Sequence, residues 1–496
     1  MHRSGKAHFN SAFRGYPVLG VSFLVLFLSF PVAQASSPDQ PLEYDWGPLV
    51  SRHTDVNGDL RFRFLGPFFE WAQSPQGDRL WAVRPFHGSA WDAKAERKVS
   101  EFLWPIEQGK RFRNEFSRRF LLAYYLDYDT TAPKSQYHFW ILPLYFQGRD
   151  IHGKNYLALF PIGGSIRDFL MRDKIYFVLF PLYAYSSINE VKTYDALWPI
   201  YSKTEGKGIK KFRIFPFYGR NLHRGWFEKR FVLWPIWTWG KYRMPGSSGS
   251  GYVVFPLWGH MKLEDQESWL FVPPFVRFSK GQRLNYVYCW PFFVKRSGEV
   301  EQLYFWPLWG RKSMKGCRTS FFLWPIFRTE RLDRGNEVGK RFLALPFLQS
   351  EIRRDRTNVV DGKKVVTYRY RKLWPLCSYI EDRDSKRFRF LDLWPLKDTA
   401  PVERCYAPFW TLYVHLRHGD AYSDEALWGL FRRQREGTRV YDVSLFPLFS
   451  WRRDDRDDGT RQWSVLKGLI GYKREGAQRT VRLLYFIRME NQETKP

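Results

Sequence analysis

The side chains from which a reactive site could be built are few in this chain, and each group is spaced against the chemistry it would need. His415 and His418 stand in Tyr413-Val414-His415-Leu416-Arg417-His418. In a strand, a separation of three puts them on opposite faces, so they do not converge on one metal. The run Asp454-Asp455-Arg456-Asp457-Asp458-Gly459 has the acidity of a calcium loop, but Arg456 occupies the third position and Val465 stands where the closing glutamate belongs. It reads as a charged hairpin turn. Gly246-Ser247-Ser248-Gly249-Ser250-Gly251 has no following lysine or helix signal and reads as a flexible loop, not a phosphate cradle. Asp127 and Asp129 are suited to acid and base work, but no second group is brought to them. Cys289, Cys317, Cys377 and Cys405 lack metal-ligand and CxxC spacing and are assigned to packing. No GxSxG or HExxH occurs. The expectation is a non-enzymatic protein with no catalytic residues, no cofactor and no metal.

Charge points to binding instead. The chain carries 79 Lys and Arg against 50 Asp and Glu, a formal net charge of +29, which suits polyanions. The charges are interspersed, as in Arg328-Thr329-Glu330-Arg331-Leu332-Asp333-Arg334, so most of them read as solvated connections. Arg213, Arg220, Arg230 and Arg243 flank apolar runs and are the candidate anion contacts. Residues 1–35 contain Arg3, Lys6 and Arg14, an apolar stretch from Val18 to Val32 and a small-x-small site at Ala33-Gln34-Ala35, the pattern of a cleaved signal peptide. Export makes nucleic acid a poor partner. The expected partners are outer-membrane lipid or lipopolysaccharide, or an anionic polysaccharide. The expected location is the outer membrane, with a periplasmic or secreted protein as the alternative.

The elements that would position these groups come from a repeat. Prolines inside short apolar runs recur at intervals of mostly 17 to 21 residues, at Pro105, Pro143, Pro181, Pro199, Pro235, Pro256, Pro307, Pro325, Pro375, Pro395 and Pro447 among others. Proline-free copies fill the gaps at Phe120 to Leu126, at Leu427-Trp428-Gly429-Leu430 and at Leu466-Lys467-Gly468-Leu469. A fixed short period means one structural unit copied many times. The runs LWPI at 103–106, 197–200, 233–236 and 323–326, LFPL at 179–182 and 445–448, and LWPL at 373–376 and 393–396 resemble a group of bacterial exported proteins with the same vocabulary. That resemblance implies export and a β-repeat, and brings no residue roles.

The runs hold six to ten residues, are rich in aromatics, and are separated by hairpin signals such as Asn57-Gly58, Ser297-Gly298, Asp361-Gly362 and Asp458-Gly459. This predicts an all-β antiparallel meander with one strand per unit, roughly two dozen strands, and the proline near mid-strand. Two architectures follow: a large outer-membrane β-barrel acting as a channel or transporter, or a soluble stacked or sandwiched β-repeat acting as a binding or scaffolding protein. The proline argues for the second, since it removes a ladder donor. The organisation expected is a flexible segment at 36–45, one repeat domain at 46–488 and a tail at 489–496.

Overall fold

The computed structural model describes residues 44–492 apart from 283, 361–362, 438 and 456–458. The expected signal peptide at 1–35, most of the segment 36–45 and the expected turn at Asp361-Gly362 lie outside the described residues, as do Asp457 and Asp458. One compact unit, Asp45–Pro496, carries the sheet.

The chain is all-β: the described residues form forty-six antiparallel strands in one sheet, each paired with the next, as Phe227–Val232 pairs with Trp237–Met244 and that with Ser247–Val254. This corrects the expected strand count. Each repeat contributes two strands, not one, and most strands have only five or six residues. The apolar run is the end of one strand, a tight turn and the start of the next. Proline therefore sits at the turn, where no ladder donor is required of it. In Leu103-Trp104-Pro105-Ile106 the Trp104–Pro105 bond is cis, Leu103 has φ 41°, and the Ile106 N–H donates to the Leu103 carbonyl at 3.0 Å. The same bond closes the turns at Pro181, Pro199, Pro235 and Pro325. At the pair Pro273-Pro274 it is Pro274 that follows the cis bond.

Two more expectations change. Pro395 and Pro408 do not close hairpins. The strands Ser385–Phe390 and Tyr413–His418 pair directly, and residues 391–412 form one expanded connection containing the short helices Ala400–Cys405 and Ala407–Trp410. Nor is the Gly and Ser stretch a loop, since the strand Ser247–Val254 is paired on both sides. Its glycines fit because a Cβ on Gly251 would lie 2.8 Å from the Met261 side chain. The long step from Pro346 to Pro375 is taken up by the long strands Leu348–Val360 and Lys363–Leu373. The last strand, Ile487–Gln492, runs into the stretch read as a tail.

The two faces of the sheet differ. The inner face mixes small, polar and aromatic side chains, and its best-packed apolar cluster is Phe146, Tyr156, Ala158, Ile166 and Phe177. Near the two ends of the meander, inner faces meet. Arg63 pairs with Glu425, Gln434 Nε2 donates to the Thr54 carbonyl at 3.3 Å, Arg84 Nε to the Arg404 carbonyl at 2.6 Å, and the Tyr406 hydroxyl to the Trp104 carbonyl at 2.6 Å. From Thr54 through Arg63 to Arg84 the partner's number falls from 434 through 425 to 404, so the two stretches run antiparallel there. The helical insert lies in this contact, with Phe68 and Phe409 edge to face at 5.2 Å.

Candidate anion-binding cavity

A cavity of about 1040 Å³ lies against the inner face over the middle strands. Antiparallel register fixes what lines it, because side chains of alternate residues share a face. One row reads Asp195, Ser202, Arg213, Gly219, Phe231, Thr238 across consecutive strands. The next reads Thr193, Thr204, Lys211, Asn221, Lys229, Gly240. Farther along the first row stand Leu270 and Arg277. Four cations, Lys211, Arg213, Lys229 and Arg277, thus share this inner face with a single carboxylate, Asp195.

Gly219 makes the row possible. A Cβ there would lie 2.1 Å from the Phe231 ring, so only glycine lets the aromatic side chain lie across the neighbouring strand. Around it the polar groups are partly anchored. Arg277 Nη2 donates to Ser268 Oγ at 3.2 Å while its guanidinium lies over the Tyr286 ring at 4.9 Å. The Lys229 ammonium lies 5.1 Å from the Phe227 ring centre and 5.3 Å from that of Tyr242, a cation–π arrangement that holds the charge without neutralising it. Among the described residues, Lys211 and Arg213 have no carboxylate partner, and the buried atoms Arg213 Nε, Asn221 Oδ1 and Arg277 Nε make no hydrogen bond. Buried polar atoms are normally satisfied, so this cavity presents two guanidinium donors, one amide acceptor and positive charge that the protein itself does not use.

The four arginines picked from sequence are divided by the structure. Arg213 is on the inner face, whereas Arg220, Arg230 and Arg243 fall on the opposite face by register, although Arg220 and Arg230 also border the cavity. Arg220 and Arg230 both hold Glu228, at 2.8 and 2.5 Å, and that hydrogen bonding to Arg230 keeps the Glu228 carboxyl below its ordinary range despite some burial. Lys211, Lys229 and Arg277 were not singled out by sequence reasoning. Their only sequence signal is parity relative to Arg213, which is legible once strand ends are known.

Other charged clusters bring cations and carboxylates together, although Arg389 Nε and Asp392 Oδ2 make no hydrogen bond. Lys372, with no exposed side chain, donates to Asp392 and Asp398 at 2.9 Å each, and Arg389 reaches Asp398 and Glu403 at 3.2 and 2.5 Å. Burial, and then the neighbouring Asp392, push the Asp398 carboxyl up to about 6. His415 shares a face with Asp424, its Nδ1 lying 2.7 Å from Oδ1, while His418 falls on the other face of the strand. Cys289, Cys317, Cys377 and Cys405 are free thiols, Cys405 fully buried. Among the described residues no group of three or more His, Cys, Asp or Glu is placed to hold a metal ion. No family model matches the chain, and no curated protein matches it.

Proposed function

We propose that the chain is an exported, non-enzymatic protein of the cell envelope that binds an anionic ligand, the acidic groups of a polysaccharide or a lipid head group, against its inner sheet face. The observation that carries this reading is the cavity in which Lys211, Arg213, Lys229 and Arg277 face one carboxylate and leave buried donors unused. Aromatic rings beside the cations, Phe231 and Tyr242 among them, suit the apolar faces of sugar rings. The rival reading, a bilayer-spanning barrel with a channel, needs strands of about nine to eleven residues. Most strands here have five or six, a rise of roughly 20 Å, which weighs for the binding protein.

The test is a titration of the purified protein with a fluorescently labelled polyuronate at low salt, beside a neutral dextran of the same size. Saturable binding of the polyuronate alone, abolished in Lys211→Ala/Arg213→Ala, supports the reading. Absence of binding at low salt, or equal binding of the neutral polymer, sinks it.

A further inference from the structure

The outer face carries a second feature. Two kinds of turn line the two edges of the meander. One edge has polar hairpin turns, such as Asn57-Gly58 and Lys207-Gly208, and the other has the proline-type turns, whose side chains are apolar and exposed. The backbone along the apolar edge is unusual for a row of turns, because neighbouring turns hydrogen-bond to each other. Trp198 N–H donates to the Pro181 carbonyl at 2.8 Å, Trp234 to Pro216 at 2.7 Å and Trp324 to Pro307 at 2.8 Å. An edge so satisfied can enter an apolar medium with few orphaned amides and carbonyls.

Register then stratifies the outer face away from that edge, most cleanly over the last six strands. Beside the turns lies a row of Leu445, Phe449, Val465, Ile470, Leu483 and Ile487. Two residues farther along each strand the row is Val443, Trp451, Trp463, Tyr472, Val481 and Met489. Two residues farther again come Arg453, Arg461, Arg474 and Arg479 on four consecutive strands. The turns that border the first row expose Leu448, Leu484 and Phe486, the last at 78%. The same order recurs upstream, as Trp237, Trp239, Lys241 and as Trp258, His260, Lys262, although Glu228, Glu267 and Glu301 interrupt the cationic row there.

We infer that this proline-turn edge docks on an anionic lipid bilayer, with the turns and first row in the acyl boundary, the aromatic row at the carbonyls and the arginine row at the phosphates, without crossing the membrane. The first and third rows are four residues apart, roughly 13 Å at strand rise. That is the scale on which an interfacial element buries its apolar part by about 5–10 Å and meets head groups above it. The parallel layering is the argument for lipid over a protein partner. A bilayer surface changes from hydrocarbon to aromatic-tolerant interface to anionic phosphate along one direction, and the rows change in that order strand after strand. A protein partner imposes no such uniform order.

The inference is independent of the inner-face cavity, since it uses the opposite face. Its test is flotation of the purified protein with vesicles of phosphatidylcholine alone or with about 30% phosphatidylglycerol, together with quenching of tryptophan fluorescence by lipids brominated near the carbonyl. The expected result is flotation and quenching with anionic vesicles, and binding weaker by about tenfold or more in Leu484→Ser/Phe486→Ser, from the apolar surface removed. These two side chains are exposed, and circular dichroism checks that the variant keeps its sheet. Arg461→Glu/Arg474→Glu is expected to lose the preference for anionic over neutral vesicles. Lys211→Ala/Arg213→Ala is expected to float as the parent does; if it fails to float, the independence of the two faces is lost and the inference with it. Flotation without quenching, or undiminished binding by the turn variant, overturns it. So does concentration-dependent self-association that consumes the edge and leaves vesicles unbound.

Discussion

Arg404 Nη2 lies 2.5 Å from Oε1 of Glu101, a residue 303 positions earlier whose side chain has no exposed surface. The pair ties the helical insert to the inner face of an early strand. A buried charge that loses its partner is costly, by about 3 kcal/mol or more. Arg404→Ala is expected to lower the unfolding free energy by that order, read from the fall in the urea midpoint, and Glu101→Leu/Arg404→Met to recover most of the loss. A single change that leaves the midpoint unaltered would show that the two ends of the meander do not depend on each other.

Acid should loosen the same contact. His53 is held well below the ordinary histidine range, by burial first and then by Arg432, Arg63 and Arg61. The unfolded chain takes up a proton near pH 6.5 that the folded chain refuses, so stability present above 6.5 declines as pH falls toward the folded value. The slope is about 1.4 kcal/mol per pH unit at its steepest. Glu70 acts lower on the scale. Burial would raise its carboxyl, but Arg84, Arg63 and Arg61 overcome that and hold it below the carboxylate range, so its contribution is lost as pH falls below about 4.3. Chemical denaturation at pH 7.5 and 5.5 is expected to show the first decline in the parent and its absence in His53→Gln.

Gly219 sets the width of the cavity wall. Gly219→Val places new atoms where the Phe231 ring lies, since even a Cβ would stand 2.1 Å from it. The expected destabilisation is about 1–3 kcal/mol, read by thermal denaturation. Gly219→Val/Phe231→Ala should relieve the clash and be less destabilised than the sum of its two single changes.

Polyanion binding in the cavity should follow salt. Each cation that meets an anionic group displaces counterions, so affinity should fall steeply and linearly on a logarithmic salt scale. Removing Lys229 or Arg277 singly is expected to reduce that slope. Arg243→Ala, on the opposite face and outside the cavity lining, should leave it unchanged. Equal slopes for all three variants would remove the inner face from the binding account.

Much of the fold was legible. The period, the β character, the antiparallel order and the turn at Asn57-Gly58 follow from apolar runs punctuated by hairpin residues, and the proline-free copies at Leu427 and Leu466 are indeed turns of the same kind. The strand count was not legible, because Leu-Trp-Pro-Ile is as apolar in its turn as in its flanking strands. A leucine at φ 47°, as at Leu197 or Leu233, leaves no compositional mark. The division of the arginines was hidden for a related reason. The turn after Ile214 has three residues and that after Val232 has four, so the parity of a residue relative to its proline changes from unit to unit. Arg213 and Arg220 are equivalent in composition and opposite in direction.

The pairing of every strand with its chain neighbours has an evolutionary consequence. A unit of about nineteen residues enters and leaves the polypeptide at two turns and contributes its own two ladder rungs, so copying or losing one by unequal recombination preserves every local contact on either side. Only the terminal units, whose inner faces recognise each other across some three hundred residues, keep count. Selection on those few clasping side chains would fix the copy number, while the middle of the gene could drift in sequence as long as its rhythm held.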